Sequence, residues 1–285
     1  MTWPTWRQAA VLTLVCAMAV AGLRRFGSGR VRDGLLPALK ELGLLSGLYS
    51  IWRLARMLPL ATTGGAMVRA HWIDRFQHRI ALPSELTLQR LALQVPGLGR
   101  FLNAYYAIVH VPALLACLAW LFLWRRPAYA RWRTGLVLVT GFCLFIRFIR
   151  VAPPRFLPEL GYIDLAAGFG LSVYGPVGTG VSDQFAAMPS IHVAWAAVVS
   201  FSIIAAGRSP KRWVFALHLA LTLVAVSATG NHWWLDSIVA LLLFSLCLAI
   251  ERRYRQFRLG RRSMAAGEDD LVEGAVAVRE ESHRS

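Results

Sequence analysis

The string Asn231-His232-Trp233-Trp234-Leu235-Asp236 places a histidine four residues before an aspartate. At i, i+4 spacing on one helix face the carboxylate accepts one imidazole N–H and leaves the other nitrogen bare. A ring held in that tautomer is more basic and suits a nucleophile or a general base. The same pair also serves as a hydrogen-bonded cap at a helix start, and spacing alone does not separate the two roles. A second string, Met188-Pro189-Ser190-Ile191-His192, reads as another helix start, with Pro189 where a missing N–H costs nothing. Its unpaired backbone N–H groups and the Ser190 hydroxyl make an anion site. His192, from the same turn, can pass a proton to a leaving oxygen, or can simply bond a loop carbonyl at the interface. The third string, Val151-Ala152-Pro153-Pro154-Arg155-Phe156-Leu157-Pro158, contributes Arg155. Its planar fork fits phosphate oxygens, although a snorkelling or loop-bridging arginine reads the same way. Arg150 and Arg147 lie one and two helical turns earlier on an expected span, where an arginine in apolar surroundings is functional or paired with a carboxylate. Taken together, an anion cradle, an arginine, one histidine to attack and one to protonate suffice for phosphoryl transfer, with no metal and no cofactor expected.

The elements that would carry these residues are membrane helices. The chain has 285 residues, of which 56% are hydrophobic and only 16% charged, too few to cover a soluble surface. The apolar residues run together instead of recurring at amphipathic spacing. Expected spans are Ala9–Leu23, Leu35–Leu58, Ala104–Trp124, Thr134–Val151, Ile191–Ala206, Trp213–Ala228 and Leu235–Ile250. The second carries Lys40, Glu41, Arg53 and Arg56 and is expected to tilt or to lie partly at the interface. Arg69–Arg100, with Trp72, Ile73, Phe76 and Ile80 near helical spacing among charges, reads as an amphipathic interfacial helix followed by a Pro/Gly turn. The long connection Ala152–Met188 reads as a functional loop. The fold expected is all-α, a polytopic transmembrane bundle of about six or seven spans with one interfacial helix.

The formal charge of +16 would suggest nucleic acid in a soluble chain, but here it falls in clusters between apolar runs. Arginines after the first span, between the third and fourth, between the fifth and sixth, and after the last all land on one face. The positive-inside tendency makes that face cytoplasmic, with the C-terminus, and puts the three strings at the opposite rim. No nucleic-acid partner is expected. Ala17-Met18-Ala19 after a short apolar stretch admits a cleaved signal peptide, but the basic cluster that follows favours a retained anchor. The four cysteines, Cys16, Cys117, Cys143 and Cys247, sit inside apolar runs without metal-ligand or disulfide spacing and read as packing residues.

The Pro-Ser-x-His and Asn-His-x3-Asp strings, their histidines 40 residues apart, resemble the second and third motifs of the type-2 phosphatidic acid phosphatase superfamily. Phe185–Trp195, Ala228–Asp236, Pro153-Pro154-Arg155 and Tyr105-Tyr106…His110 are similar to its branch containing inositol phosphorylceramide synthase. The likeness runs from Trp72 to Ile250. It implies His232 as the nucleophile that forms a phosphohistidine, Asp236 as its orienter, His192 as general acid, and Ser190 and Arg155 as phosphate contacts, without a metal. Asn231, Arg150 and Arg147 complete the expected phosphate-binding set. The superfamily's Lys-x6-Arg-Pro motif has no counterpart here, since Phe156 follows Arg155, and Ala225-Val226 replaces the Ser-Arg that often opens the third motif.

The expectation is therefore a lipid phosphatase or phospho-head-group transferase of the plasma membrane, its site on the extracytoplasmic face. Its substrate would be a phospholipid or an isoprenoid or sphingolipid phosphate, with an alcohol such as inositol as acceptor in the transferase case. The segments Arg69–Arg100 and Tyr162–Asp183 would exclude water and bind that acceptor. Residues 1–68 would form N-terminal membrane helices, 69–259 the catalytic domain and 260–285 a disordered cytoplasmic tail. The competing classes are a transporter and a non-catalytic membrane scaffold; the clustering of ionisable groups at one rim and the lack of a repeat count against the first.

Overall fold

A computed structural model describes residues 4–27, 29–57, 65–169 and 184–282, with side chains to residue 261. The elements are α1 (Trp6–Phe26), α2 (Gly29–Met57), α3 (Ala66–Arg79), α4 (Glu85–Gln94), α5 (Leu98–Ile108), α6 (His110–Trp124), α7 (Arg126–Ile146), α8 (Leu165–Phe169), α9 (Ile191–Ala206), α10 (Phe215–Ala228) and α11 (Trp234–Ser282). The fold is an all-α bundle. The single β-type contact among the described residues is an isolated parallel bridge between Val151 and Ala186. The part of the expected acceptor loop from 170 to 183 lies outside the described residues.

Among the described residues, three helices are long and apolar enough to cross a membrane: Trp6–Phe26, Pro210–Ala228 and Trp234–Arg261. The pair α5 and α6, bent by 48°, makes a fourth if taken as one span. α9 is apolar but has only 16 residues. α2 and α7 are long enough, but their charged residues lower their mean hydropathy and they are not among these candidates. One of those charges is matched in the fold, because Glu41 on α2 pairs with Arg133 on α7 and accepts from the Tyr129 hydroxyl at 3.2 Å.

Local chemistry sets the boundaries. Thr5 accepts from Gln8 N–H while the Gln8 side chain accepts from Thr5 N–H, a reciprocal cap that starts α1. α7 begins at Arg126 with Pro127 in its first turn, earlier than expected, and ends at Ile146 ahead of the Pro153-Pro154 pair. Arg147 and Arg150 therefore lie just past the helix and not on a span, where a guanidinium can reach polar groups at little cost. The expected interfacial helix is two helices, α3 and α4, separated by a turn at 80–84 that contains Pro83 and a left-handed Ala81 (φ 55°). The backbone of α11 stays helical to Ser282, beyond Gly260, where polar composition suggests disorder. A segment without the apolar content for a core can still be helical locally when it is rich in Ala, Glu, Leu and Arg.

The main core lies between α6, α7, α9 and α11, with Leu121, Val139, Val193, Val198, Phe244 and Cys247 buried together. Gly135 lets α7 approach α11 closely, since a Cβ there would meet Leu248 Cδ2 at 2.9 Å. All four cysteines are free and buried in helix contacts.

Candidate active site

Three separate chain segments are joined at one end of the bundle, mostly by backbone hydrogen bonds. Val151 N–H donates to Phe185 O (2.7 Å) and Ala187 N–H to Val151 O (3.2 Å), which sets the Arg155 string beside the approach to His192. Arg155 N–H donates to Gly230 O (3.0 Å), and the Trp233 indole N–H to Ala152 O (2.9 Å). Ser190 N–H donates to Asp236 O (3.2 Å), so the two histidine strings are tied directly. Gly230 makes this possible. It turns the chain out of α10 with φ +67°, and a Cβ there would press on Arg155 and Gln89 at 3.3 Å.

His232 sits in the connection before α11, not on the helix, and Asp236 lies in the first turn. The nearest acceptor to His232 Nδ1 is the carbonyl of Ala187 at 2.7 Å, with Asp236 Oδ2 at 3.5 Å. The aspartate is therefore not the sole orienter that the i, i+4 spacing suggests. Its Oδ2 also accepts from Trp233 N–H at 2.8 Å and so caps the helix. Both neighbours of Nδ1 are acceptors, which places the proton on Nδ1 and leaves Nε2 as a bare lone pair. That Nε2 is buried and has no hydrogen-bond partner.

His192 lies across from it, ring centroids 5.7 Å apart. Ser190, rather than Pro189, is the N-cap of α9, and its Oγ accepts from Val193 N–H at 3.4 Å. The capped hydroxyl still has its own hydrogen to donate. Arg155 is buried at this end, with Nη1 donating to Asn231 Oδ1 (2.6 Å) and Nε 3.5 Å from Asp164 Oδ2. Asn231 in turn donates to the Thr229 hydroxyl (2.8 Å). The structure thus brings His232, His192, Asp236, Ser190, Asn231 and Arg155 to one end of the bundle. Arg147 directs Nη2 to the carbonyl of Ala55 on α2 (3.2 Å), and Arg150 is half-buried with its carbonyl accepting from Arg69. Among the described residues no three His, Cys, Asp or Glu side chains are placed to hold a metal ion.

Sequence reasoning misses three residues that hold this end together. The first N–H groups of α11 are capped from outside: Trp234 N–H donates to Glu85 Oε1 and Leu235 N–H to Gln77 Oε1, both at 2.8 Å, while Gln77 donates to Glu85 at 2.8 Å. Gln89, fully buried, donates to Ile163 O and Ala228 O and accepts from Ile163 N–H. Burial pushes the Glu85 carboxyl up from its ordinary value, against the N–H groups of Trp234 and Gln77 that favour its charged form. The available signal was inverted amphipathicity: on α3 and α4 the polar Gln77, Glu85 and Gln89 face inward while Trp72, Leu91 and Leu93 face out.

No match to the chain is found among curated proteins or solved structures. The family model of the PAP2 superfamily matches residues 71–250, which takes in α4 to α10, the start of α11 and every residue of the site described above. With well over half its length matched, and the two histidine strings inside the matched region, the chain belongs to the PAP2 superfamily of lipid phosphatases and phosphotransferases.

Proposed function

We propose that this membrane enzyme cleaves or exchanges a lipid phosphoester through a phosphohistidine on His232. Nε2 of His232 attacks phosphorus, the bond from phosphorus to the leaving oxygen breaks, and His192 supplies the proton that oxygen needs. Water or an alcohol then gives a proton to His192 and attacks phosphorus. The N–P bond breaks with its electron pair returning to Nε2. Arg155, Asn231, Ser190 and the first N–H groups of α9 hold the phosphate oxygens. No metal takes part in this scheme.

The observation that carries the reading is the forced tautomer of His232. A carbonyl and a carboxylate hold Nδ1–H, Nε2 is unpartnered, and the ring of a second histidine lies 5.7 Å away, centroid to centroid. Water resolving the intermediate makes a phosphatase; an alcohol makes a head-group transferase. The likeness to the inositol phosphorylceramide synthase branch favours transfer, with inositol the first acceptor to try. By loop charge, the site opens on the extracytoplasmic side of the plasma membrane and the C-terminus is cytoplasmic.

The test is a panel of phospholipids and of isoprenoid and sphingolipid phosphates, scored for inorganic phosphate release and for transfer to inositol, with chelator present throughout. Wild type should turn over at least one substrate, and His232→Ala should lose that activity while keeping its thermal melt. Full turnover by that variant sinks the nucleophile assignment, and loss in chelator restored by a divalent ion sinks the metal-free scheme.

A further inference from the structure

His232 has its orienting partners, whereas Nδ1 of His192 is buried and has none. An imidazole that must deliver a proton from one nitrogen needs an acceptor at the other, to fix its ring and support the charged form. The candidate is His110, the first residue of α6 at the 48° bend, which is 3% exposed. Its Nδ1 lies 3.2 Å from the carbonyl of Tyr106. A carbonyl only accepts, so the proton sits on Nδ1 and Nε2 is a bare acceptor. That Nε2 is also buried without a partner, an arrangement proteins avoid.

The two rings face each other edge to face, centroids 5.3 Å apart at 79°. A direct N–H···N bond between imidazoles separates their centroids by roughly 5 Å, so a ring rotation closes it and there is no room for a ligand between them. Neighbouring rings hold the pair in place: Tyr106 lies 4.5 Å from His192, and Tyr105 and His218 lie 5.5 and 6.0 Å from His110.

We propose that His110 is the positioning residue of the general acid, its Nε2 accepting the Nδ1–H of His192. This rests on the phosphohistidine reading above. As the P–O bond breaks, its electron pair stays on the leaving oxygen, which takes the proton from His192 Nε2. The Nδ1 proton stays shared with His110, and the neutral His192 is then set to accept a proton from water or alcohol. A neutral imidazole as partner leaves the full positive charge of His192 beside the phosphate, which a carboxylate in its place would cancel.

The experiment uses two substrates: the phosphoester that wild type turns over best in the panel, and the same compound with its leaving alcohol replaced by 4-nitrophenol, which departs without being protonated. His110→Phe keeps a ring but removes the acceptor. It should lower kcat/KM ten- to a hundredfold on the alkyl ester and less than about threefold on the nitrophenyl ester. His110→Gln, whose amide oxygen can take the place of Nε2, should recover part of the loss. Equal losses on both substrates, or none on either, overturn the proposal. The ratio is internal to each preparation, so a partly folded variant does not mask it, and His110→Ala gives a second reading. If wild type turns over neither substrate, or His232→Ala retains activity, the phosphohistidine reading fails and this inference with it.

Discussion

Arg155 binds through three different groups at once. Its backbone N–H is on Gly230, Nη1 is on Asn231, and Nε faces Asp164. A lysine would keep the charge but present a single point donor, so Arg155→Lys loses the fork that Asn231 orients. The expected outcome is a fall in kcat/KM of about a hundredfold, with the apparent Tm in detergent moving by only a few degrees. Steady-state kinetics beside a thermal melt checks it; an unchanged kcat/KM removes Arg155 from the phosphate contacts.

At the scale of elements, α3 and α4 act as a clamp on the start of α11. They turn an apolar face outward, with Trp72 54% and Leu91 51% exposed, and their polar side chains cap the helix that carries Asp236. Glu85→Ala leaves Trp234 N–H and the Gln77 amide without an acceptor, a cost of about 1–3 kcal/mol for each unmade bond. Its apparent Tm should fall by several degrees and its activity with it. Glu85→Gln retains an oxygen that can accept from both donors, so it should lie close to wild type in both. A glutamine variant as impaired as alanine would mean that the charge, not the hydrogen bonds, holds α11.

For the whole molecule, the proposed topology puts the site end outside and the α9–α10 connection inside. Glu159, with its side chain 50% exposed near the site, and Arg208, exposed after α9, sit at opposite ends of α9 and α10. Cysteine at position 159 should react with an impermeant reagent on intact cells, and cysteine at position 208 only after permeabilisation. The reverse pattern inverts the orientation drawn from loop charge.

How much of this was legible follows from the range of each interaction. Apolar runs, the arginine clusters, and the His192 and His232 strings are local features, and local features are written in order along the chain. They pointed to an all-α membrane fold, to the superfamily, and to His232, His192, Asp236, Ser190, Asn231 and Arg155, which the fold brings to one end, but not to where Arg147 reaches. Contacts between distant segments are not written that way. The partner of His232 Nδ1 is a carbonyl 45 residues upstream, Glu85 caps a helix 149 residues away, and His110 lies 82 residues before the histidine it faces. A backbone carbonyl also carries no side-chain signature, so no pattern of residue types marks Ala187. Only packing the approach to α9 against the start of α11 decided which nitrogen of His232 holds its proton, because that choice depends on which acceptor the fold brings within about 3 Å.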